Sequence, residues 1–235
     1  LEWDDRNDSI TAQRVSSLGK MPLSTERISH FDPAARARLL LDALRSRGIG
    51  SLRWPPAAVE LRQRVNAVRA AYPQAQLPNL TDHGLTETLD RWLGPHLVAI
   101  SKFEQLHSLD LYSALQQLLS WEERSFVDRM APSELSLPAG RNCRIDYSSP
   151  QEAVLAATVQ DLFGVYRTPT IGEGRIPVSV HLLSPARRPV QVTRDLEGFW
   201  KSTYQQVKKE LKGRYPKHYW PEDPLTAPLK RAPKR

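Results

Sequence analysis

The chain has 235 residues, 40% of them hydrophobic and 25% charged, so it can form a globular core in one large domain or two modest ones. No apolar run reaches the roughly 18 residues needed to cross a bilayer. A single cysteine, Cys143, excludes an intrachain disulfide and a cysteine-based zinc cluster.

The net charge of +7 is concentrated at one end of the chain. Residues 187–235 hold 13 Lys and Arg against 5 Asp and Glu, a net charge of +8, whereas the other 186 residues have a net charge of −1. Such asymmetry indicates a polyanion partner, most commonly nucleic acid. For the last six residues, 230–235, a solvated tail is the simpler interpretation.

Residues 1–28 are predicted to be strands. Segments 1–5 and 10–15 flank residues 6–9, whose Asn, Asp and Ser suit a tight turn. A lone hairpin is marginal in water, so we expect these strands to join a sheet whose other members lie upstream. The chain begins with neither Met nor the layout of a signal peptide. We therefore expect a piece of a longer protein, and the absence of disulfides favours a cytoplasmic one.

The middle of the chain is predicted to be helical. Asp32 and Pro33 suit a helix start, and Gly48 suits its end. Further helices are expected from Pro55-Pro56, from Thr81 or Asp82, around Leu111 and from Ser120. The apolar stripes are Ala37, Leu40, Leu41 and Leu44; Ala58, Leu61, Val65, Val68 and Tyr72; Leu85, Leu89, Trp92 and Leu93; and Leu111, Leu115 and Leu118. These are packing surfaces, and Trp54, Trp92 and Trp121 are expected in the core or in an interface.

From Pro132 the pattern returns to strands. Residues 134–137 and 142–147 read as a hairpin, residues 153–163 as a helix ended by Gly164, and residues 176–183 and 189–193 as two more strands. A last helix starts near Asp195 and ends at Gly213. Its apolar face consists of Leu196, Phe199, Trp200, Tyr204, Val207 and Leu211. The predicted fold class is α+β, with an N-terminal strand remnant, a helical middle and a C-terminal mixed sheet with packed helices.

The sequence contains none of the common catalytic motifs. It has no phosphate-binding Gly-x-x-x-x-Gly-Lys-Ser/Thr loop, no dinucleotide loop, no nucleophile elbow and no His-Glu-x-x-His pair. The six histidines are scattered, the acidic pairs are adjacent in sequence rather than facing, and Cys143 has no evident base. We therefore assign no catalytic and no metal-binding residue, and expect no cofactor within this chain.

Residues 212–225 combine cations, three aromatic rings and three prolines, which is incompatible with an ordinary helix or central strand. Cations can follow phosphates, and exposed rings can stack on unpaired bases. The candidate nucleic-acid-binding residues are Arg188, Arg194, Lys208, Lys212, Arg214, Tyr215, Lys217, His218 and Trp220. The alternative is a packed wrap, with Tyr215 and Trp220 buried and Glu222 or Asp223 paired to a basic residue.

Four segments resemble one family. Residues 213–224 (Gly-Arg-Tyr-Pro-Lys-His-Tyr-Trp-Pro-Glu-Asp-Pro) are similar to the C-terminal signature of the bacterial HrpB-type ATP-dependent helicases, relatives of the DEAH-box RNA helicases. Residues 182–196, 144–147 and 161–164 resemble the same family. One departure is Tyr219, where the family usually has Pro.

The resemblance implies that two ATPase lobes, which would bind ATP and Mg²⁺, lie upstream of Leu1. It implies an end of an OB-like β region at 1–29, a helical region at 30–131 and an α+β family-specific region with a basic Pro/aromatic tail at 132–235. The function implied is a non-catalytic C-terminal module of an RNA helicase that assists binding of RNA or single-stranded nucleic acid. The alternative is a structural or partner-docking module that packs on the helicase core.

Overall fold

A computed structural model of the chain describes residues 2–4, 7, 9–11, 13–18, 21–27, 32–138 and 140–226. The chain forms two compact units, one made of Leu1–Arg62 and Leu77–Trp121 and the other of Gln63–Gln76 and Glu122–Arg235. The predicted regions at 1–29, 30–131 and 132–235 stay a prediction. The predicted basic tail at 230–235 and positions 6 and 8 of the predicted turn lie outside the described residues.

The first unit opens with two antiparallel hairpins. Strand β1 (Glu2–Asp4) pairs with β2 (Ser9–Thr11), and β3 (Gln13–Leu18) pairs with β4 (Met21–Arg27). Strands are therefore present within residues 1–28 as predicted, but the predicted segment 10–15 contains the end of β2 and the start of β3, and the second hairpin was not predicted. Strand β2 is also attached within its own unit, since the Ile10 amide donates to the Ser101 carbonyl at 3.3 Å. The OB-like assignment of these strands stays a prediction.

The helices of the first unit begin where their capping residues predict. In α1 (Pro33–Arg47), the Asp32 carboxylate accepts a hydrogen bond from the Ala34 amide, and Gly48 ends the helix with φ of +81°. The Thr81 hydroxyl caps α3 (Asp82–Glu87) in the same way. The other helices of this unit are α4 (Leu89–Trp92) and α5 (Leu111–Gln116), whereas α2 (Pro56–Ala71) begins in the first unit and belongs to the second from Gln63 onward. Short 3₁₀ turns of the first unit cover Ile49–Ser51, Gly94–Leu97 and Phe103–Ser108, and a turn over Pro73–Ala75 belongs to the second.

The core of the first unit uses most of the predicted apolar stripes, but Ala37 and Leu118 are only half-buried, and Val65, Val68 and Tyr72 belong to the second unit. Fully buried leucines from α1, α3, α4 and α5 fill it, namely Leu40, Leu44, Leu85, Leu89, Leu93, Leu111 and Leu115. Trp92 is buried and Trp54 is half-buried, and each indole N–H donates to a backbone carbonyl at 2.9 Å. Trp121 is 72% exposed, so the core interpretation was wrong for this residue. Its interface interpretation stays a prediction.

The second unit is built on a five-stranded mixed sheet. Strands β5 (Glu134–Ser136), β6 (Asn142–Asp146), β7 (Ala153–Thr158), β8 (Val178–Leu183) and β9 (Pro189–Thr193) lie in sequence order. Only β7 and β8 are parallel; the other neighbours are antiparallel. Helix α6 (Trp121–Met130) precedes the sheet. After it come α7 (Leu196–Gly198), a π-helical turn (Phe199–Thr203) and α8 (Tyr204–Arg214).

The prediction of a helix over 153–163 was wrong. Residues 153–158 form the central strand β7, and only Val159–Leu162 turn as a 3₁₀ helix, capped by the Thr158 hydroxyl and the Asp161 carboxylate. The run from Ala153 to Ala157 is apolar at every position, so its sequence has no helical or strand periodicity that separates the two structures. Pairing with β6 and β8 makes this run a strand, because the hydrogen bonds to these neighbours satisfy its backbone N–H and C=O groups inside the sheet.

Candidate nucleic-acid interface

The last helix presents its predicted apolar face to the core of the second unit. Asp195 begins it, since its carboxylate accepts from the Gly198 amide at 2.9 Å. All six predicted face residues are buried: Leu196, Phe199, Trp200, Tyr204, Val207 and Leu211. The helix ends at Arg214, one residue beyond the predicted Gly213. Because this face is fixed inward, Lys201, Lys212 and Arg214 lie exposed.

Residues 215–224, here called the strap, fold back on α8. The Trp220 side chain is only 7% exposed, and its indole N–H donates to the Tyr215 carbonyl at 3.0 Å. The Tyr204 hydroxyl donates to the Pro221 carbonyl at 2.9 Å, and the Pro224 carbonyl accepts from the Gly164 amide at 3.1 Å. The strap is therefore held at both ends and in its middle by its own unit.

An ion pair adds to this attachment. The Lys208 Nζ lies 2.5 Å from the Glu222 Oε1, and the Lys208 side chain is 8% exposed. The side-chain amide of Gln205 donates to the backbone carbonyl of Glu222 at 3.0 Å. The hydrogen bond from Lys208 and its positive charge lower the pKa of the Glu222 carboxyl. Lys208 and Trp220 are thus used inside the unit, which leaves no accessible cation or ring at these two positions.

Three of the predicted residues meet at a cleft of about 170 Å³. Arg188 comes from the β8–β9 turn, Arg214 from the end of α8 and Tyr215 from the start of the strap. Glu210 also lines this cleft and lies 3.3 Å from the Arg214 guanidinium. Two arginines and the half-buried Tyr215 line the same cleft, so it has the residue types to accept an anion beside an aromatic surface.

The β8–β9 turn fixes the backbone of Arg188. The Ser184 amide donates to the Arg188 carbonyl at 2.8 Å, and the buried Ser184 hydroxyl accepts from the Arg188 amide at 3.2 Å. Arg187 occupies the left-handed region with φ of +57°. A non-glycine residue there is unfavourable by roughly 1 kcal/mol. The turn therefore holds two adjacent arginines on a defined, strained backbone.

The remaining predicted residues are not part of this cleft. Lys212, Lys217 and His218 are exposed on the end of α8 and on the strap. The Arg194 guanidinium is bound to the Glu152 carboxylate at 2.7 Å, at the opposite end of β9 from Arg188. Lys212 lies one helical turn after Lys208, on the same side of α8, and its charge contributes to the lowered pKa of Glu222. It does not line the cleft.

A second charged cluster was not predicted. Tyr166 and Arg167, between β7 and β8, meet Glu197 and Lys201 from the start of the last helix. The only sequence signal was an aromatic residue followed directly by a cation, in a stretch without periodicity. Its partners lie about 30 residues away, so their proximity depends on the tertiary fold.

Other kinds of site find little support. Among the described residues, no three His, Cys, Asp or Glu side chains are grouped to hold a metal ion, and no helix is long and apolar enough to cross a membrane. Burial raises the pKa of the Cys143 thiol, which lowers its reactivity as a nucleophile.

Comparisons with known proteins support the family resemblance. Residues 92–224 match the model of the family described as ATP-dependent helicase C-terminal, HrpB_C. The chain is 37% identical, over all 235 residues, to the ATP-dependent RNA helicase HrpB of Escherichia coli (strain K12), and it covers 29% of that protein. It therefore spans less than a third of the length of this relative.

Two solved structures have the same fold. The crystal structure of the E. coli DExH-box NTPase HrpB matches 98% of this chain and 28% of its own, with 36% identity and a TM-score of 0.83. The crystal structure of the E. coli DEAH/RHA helicase HrpB matches 93% and 28%, with 35% identity and a TM-score of 0.71. These matches confirm the α+β fold class, and the chain belongs to the C-terminal family of HrpB-type ATP-dependent helicases.

Proposed function

We propose that this chain is a non-catalytic module that helps an ATP-dependent RNA helicase bind single-stranded nucleic acid. The observation that carries the proposal is the convergence of Arg188, Arg214 and Tyr215 on one cleft from three separate elements. In this proposal the two guanidinium groups bind backbone phosphates and the Tyr215 ring lies beside a base. Lys212, Lys217 and His218 extend the basic surface along α8 and the strap.

The ion pair between Arg214 and Glu210 is compatible with this role. Both side chains are largely exposed, at 70% and 60%, and such surface pairs contribute little to stability. A phosphate diester can therefore replace the carboxylate at small cost. Lys208 and Trp220 are excluded from the proposed contact because both side chains are buried, Lys208 in its ion pair with Glu222 of the strap.

The chemistry of ATP hydrolysis is assigned elsewhere. We propose that ATP and Mg²⁺ act in motor lobes of the whole protein, as the name of the E. coli relative suggests for that protein. The present chain has no phosphate-binding loop sequence that could take this part.

A structural role is the second candidate, and the strap is the observation in its favour. Trp220 is buried, and Pro221, Glu222 and Pro224 are bound to Tyr204, Lys208 and Gly164 of the same unit. In this alternative the module packs on the helicase core, and its cations only keep the surface solvated.

Binding of a fluorescent single-stranded RNA to the 235-residue chain, measured by anisotropy across a salt series, tests the proposal. The logarithm of the affinity should fall with the logarithm of salt concentration, by roughly 0.7 per phosphate neutralised. The double variant R188Q/R214Q should bind more weakly and lower that slope by about 1.4.

The matched control is R53Q/R144Q, which removes two exposed arginines that lie outside the cleft. Absence of binding at low salt would contradict the nucleic-acid role and favour the structural one. An equal loss in the control variant would show that overall charge, rather than the cleft, determines the affinity.

A further inference from the structure

The cluster around Tyr166 has the composition of a second contact. Tyr166 is 41% exposed, and the side chains of Arg167 and Lys201 are 80% and 63% exposed. Both cationic groups lie 5.9 Å from the centre of the Tyr166 ring. We name Tyr166, Arg167, Glu197 and Lys201 the Tyr166 platform. None of these four residues lines the cleft described above.

The backbone that carries the platform is fixed on both sides of the ring. Before it, the Val165 carbonyl accepts from the indole N–H of the buried Trp200 at 2.7 Å. After it, the Thr168 hydroxyl donates to the Arg194 carbonyl at 2.8 Å and accepts from the Leu196 amide at 3.0 Å. An exposed ring on a fixed backbone has little conformational entropy to lose when it binds a partner.

The platform side chains are also held in place, by Glu197. Its carboxylate accepts from the Tyr166 hydroxyl at 2.6 Å and from the Lys201 ammonium at 2.6 Å, and it lies 3.6 Å from the Arg167 guanidinium. The Lys201 and Tyr166 hydrogen bonds lower the pKa of Glu197, and the bond to Glu197 raises the pKa of Lys201. Glu197 and Lys201 are therefore both charged at neutral pH.

The charges and the ring together specify the ligand. Two cations against one carboxylate leave a net positive charge. The Arg194 guanidinium, on the residue whose carbonyl Thr168 binds, is paired with Glu152 and adds no net charge to this surface. A positive surface with an accessible ring fits a partner that is both anionic and aromatic, which is the chemistry of an unpaired nucleotide. An acidic protein segment would use the cations but would leave the ring without a matching surface.

We propose that Tyr166 stacks on an unpaired base of single-stranded nucleic acid while Arg167 and Lys201 bind the flanking phosphates. The inference rests on the proposed function, to which it adds a second point of contact at the opposite end of β9 from the Arg188 cleft. The nucleic-acid strand would then be bound at two places on the same unit.

The test compares Tyr166→Ala and Tyr166→Phe with the unmodified chain, using single-stranded RNA and an abasic strand of equal length. Tyr166→Ala should weaken RNA binding about 5- to 140-fold, the range that loss of one base–aromatic stack produces. Tyr166→Phe keeps the ring and should remain within a few-fold of the unmodified chain. On the abasic strand, Tyr166→Ala should have no effect.

The matched control is Trp121→Ala, which removes an exposed ring followed in sequence by two glutamates rather than by a cation. Normal RNA binding by Tyr166→Ala would overturn the platform and leave the proposed function intact. No RNA binding by the unmodified chain would overturn both. If Tyr166→Ala weakened binding to the abasic strand or to polyaspartate as strongly as to RNA, the stacking role would be overturned in favour of an acidic partner.

Discussion

Replacing Trp220 by alanine should destabilise the second unit substantially. The side chain is 7% exposed, so nearly all of its surface, on the order of 200 Å², is removed from water. At about 25 cal/mol per Å² this burial contributes about 5 kcal/mol as an upper value, and the hydrogen bond to the Tyr215 carbonyl adds about 1 kcal/mol. Truncations of buried Trp to Ala cost about 3–5 kcal/mol, which is the loss expected here.

Urea denaturation followed by far-UV circular dichroism measures this loss as a decrease of the midpoint. In a thermal scan the same loss lowers Tm by about 6–20 °C. Trp121→Ala is the control, since its 72% exposed side chain should change the free energy of unfolding by no more than about 0.5 kcal/mol. If Trp220→Ala cost less than about 1 kcal/mol, the strap would not belong to the core of its unit and the packing argument would be refuted.

Two further predictions concern the strap and the glycines. Because Lys208 lowers the pKa of Glu222, the stability that this carboxylate contributes is present above its ordinary pKa of 4.5 and is lost as pH falls below that value. Tm should therefore decrease less between pH 5 and pH 3 in Glu222→Gln than in the unmodified chain. Some decrease remains in the variant, because the pKa of Asp223 is also lowered. Equal decreases of Tm would contradict the role of the pair. Gly213→Ala should raise the free energy of unfolding by about 0.5–1 kcal/mol, since a Cβ there meets nothing within 4 Å and alanine favours a helix. Gly84→Ala should lower it by about 1–3 kcal/mol despite the same helical preference, because its Cβ would overlap Asn79; stabilisation by both substitutions in chemical denaturation would refute this contact.

The features that could be predicted from the sequence are those set by neighbours along the chain. Asp32 before Pro33 and Asp195 before an apolar stripe mark helix starts, because caps and periodicity act within a few residues. The hairpin of β5 and β6 follows from alternation and a turn between them. The family could be recognised because residues 213–224 have an unusual composition.

The features that could not be predicted depend on contacts between distant residues. Residues 153–163 predict a helix, because the pairing of β7 with β8 is not encoded in their own periodicity. The sequence does not single out the pair of Lys208 and Glu222, since a carboxylate at 222 or 223 has several possible basic partners. Arg188 and Arg214 could be proposed individually, but their common cleft appears only when α8 packs beside the β8–β9 turn.

The late position of the strap has a consequence for synthesis of the protein. The second unit includes Gln63–Gln76, which a ribosome makes early, yet its core contains Trp220 and its closing hydrogen bonds use Pro221 and Pro224. Tyr72 of the early segment contacts Phe126 and the Gly172 carbonyl, so this segment must wait for residues translated much later, and the core of the unit is complete only when Trp220 is added. A nonsense mutation that removes residues from 215 onward would leave Tyr204 and Phe163 uncovered. We expect such a truncated chain to be degraded or to aggregate rather than to persist as a shorter module.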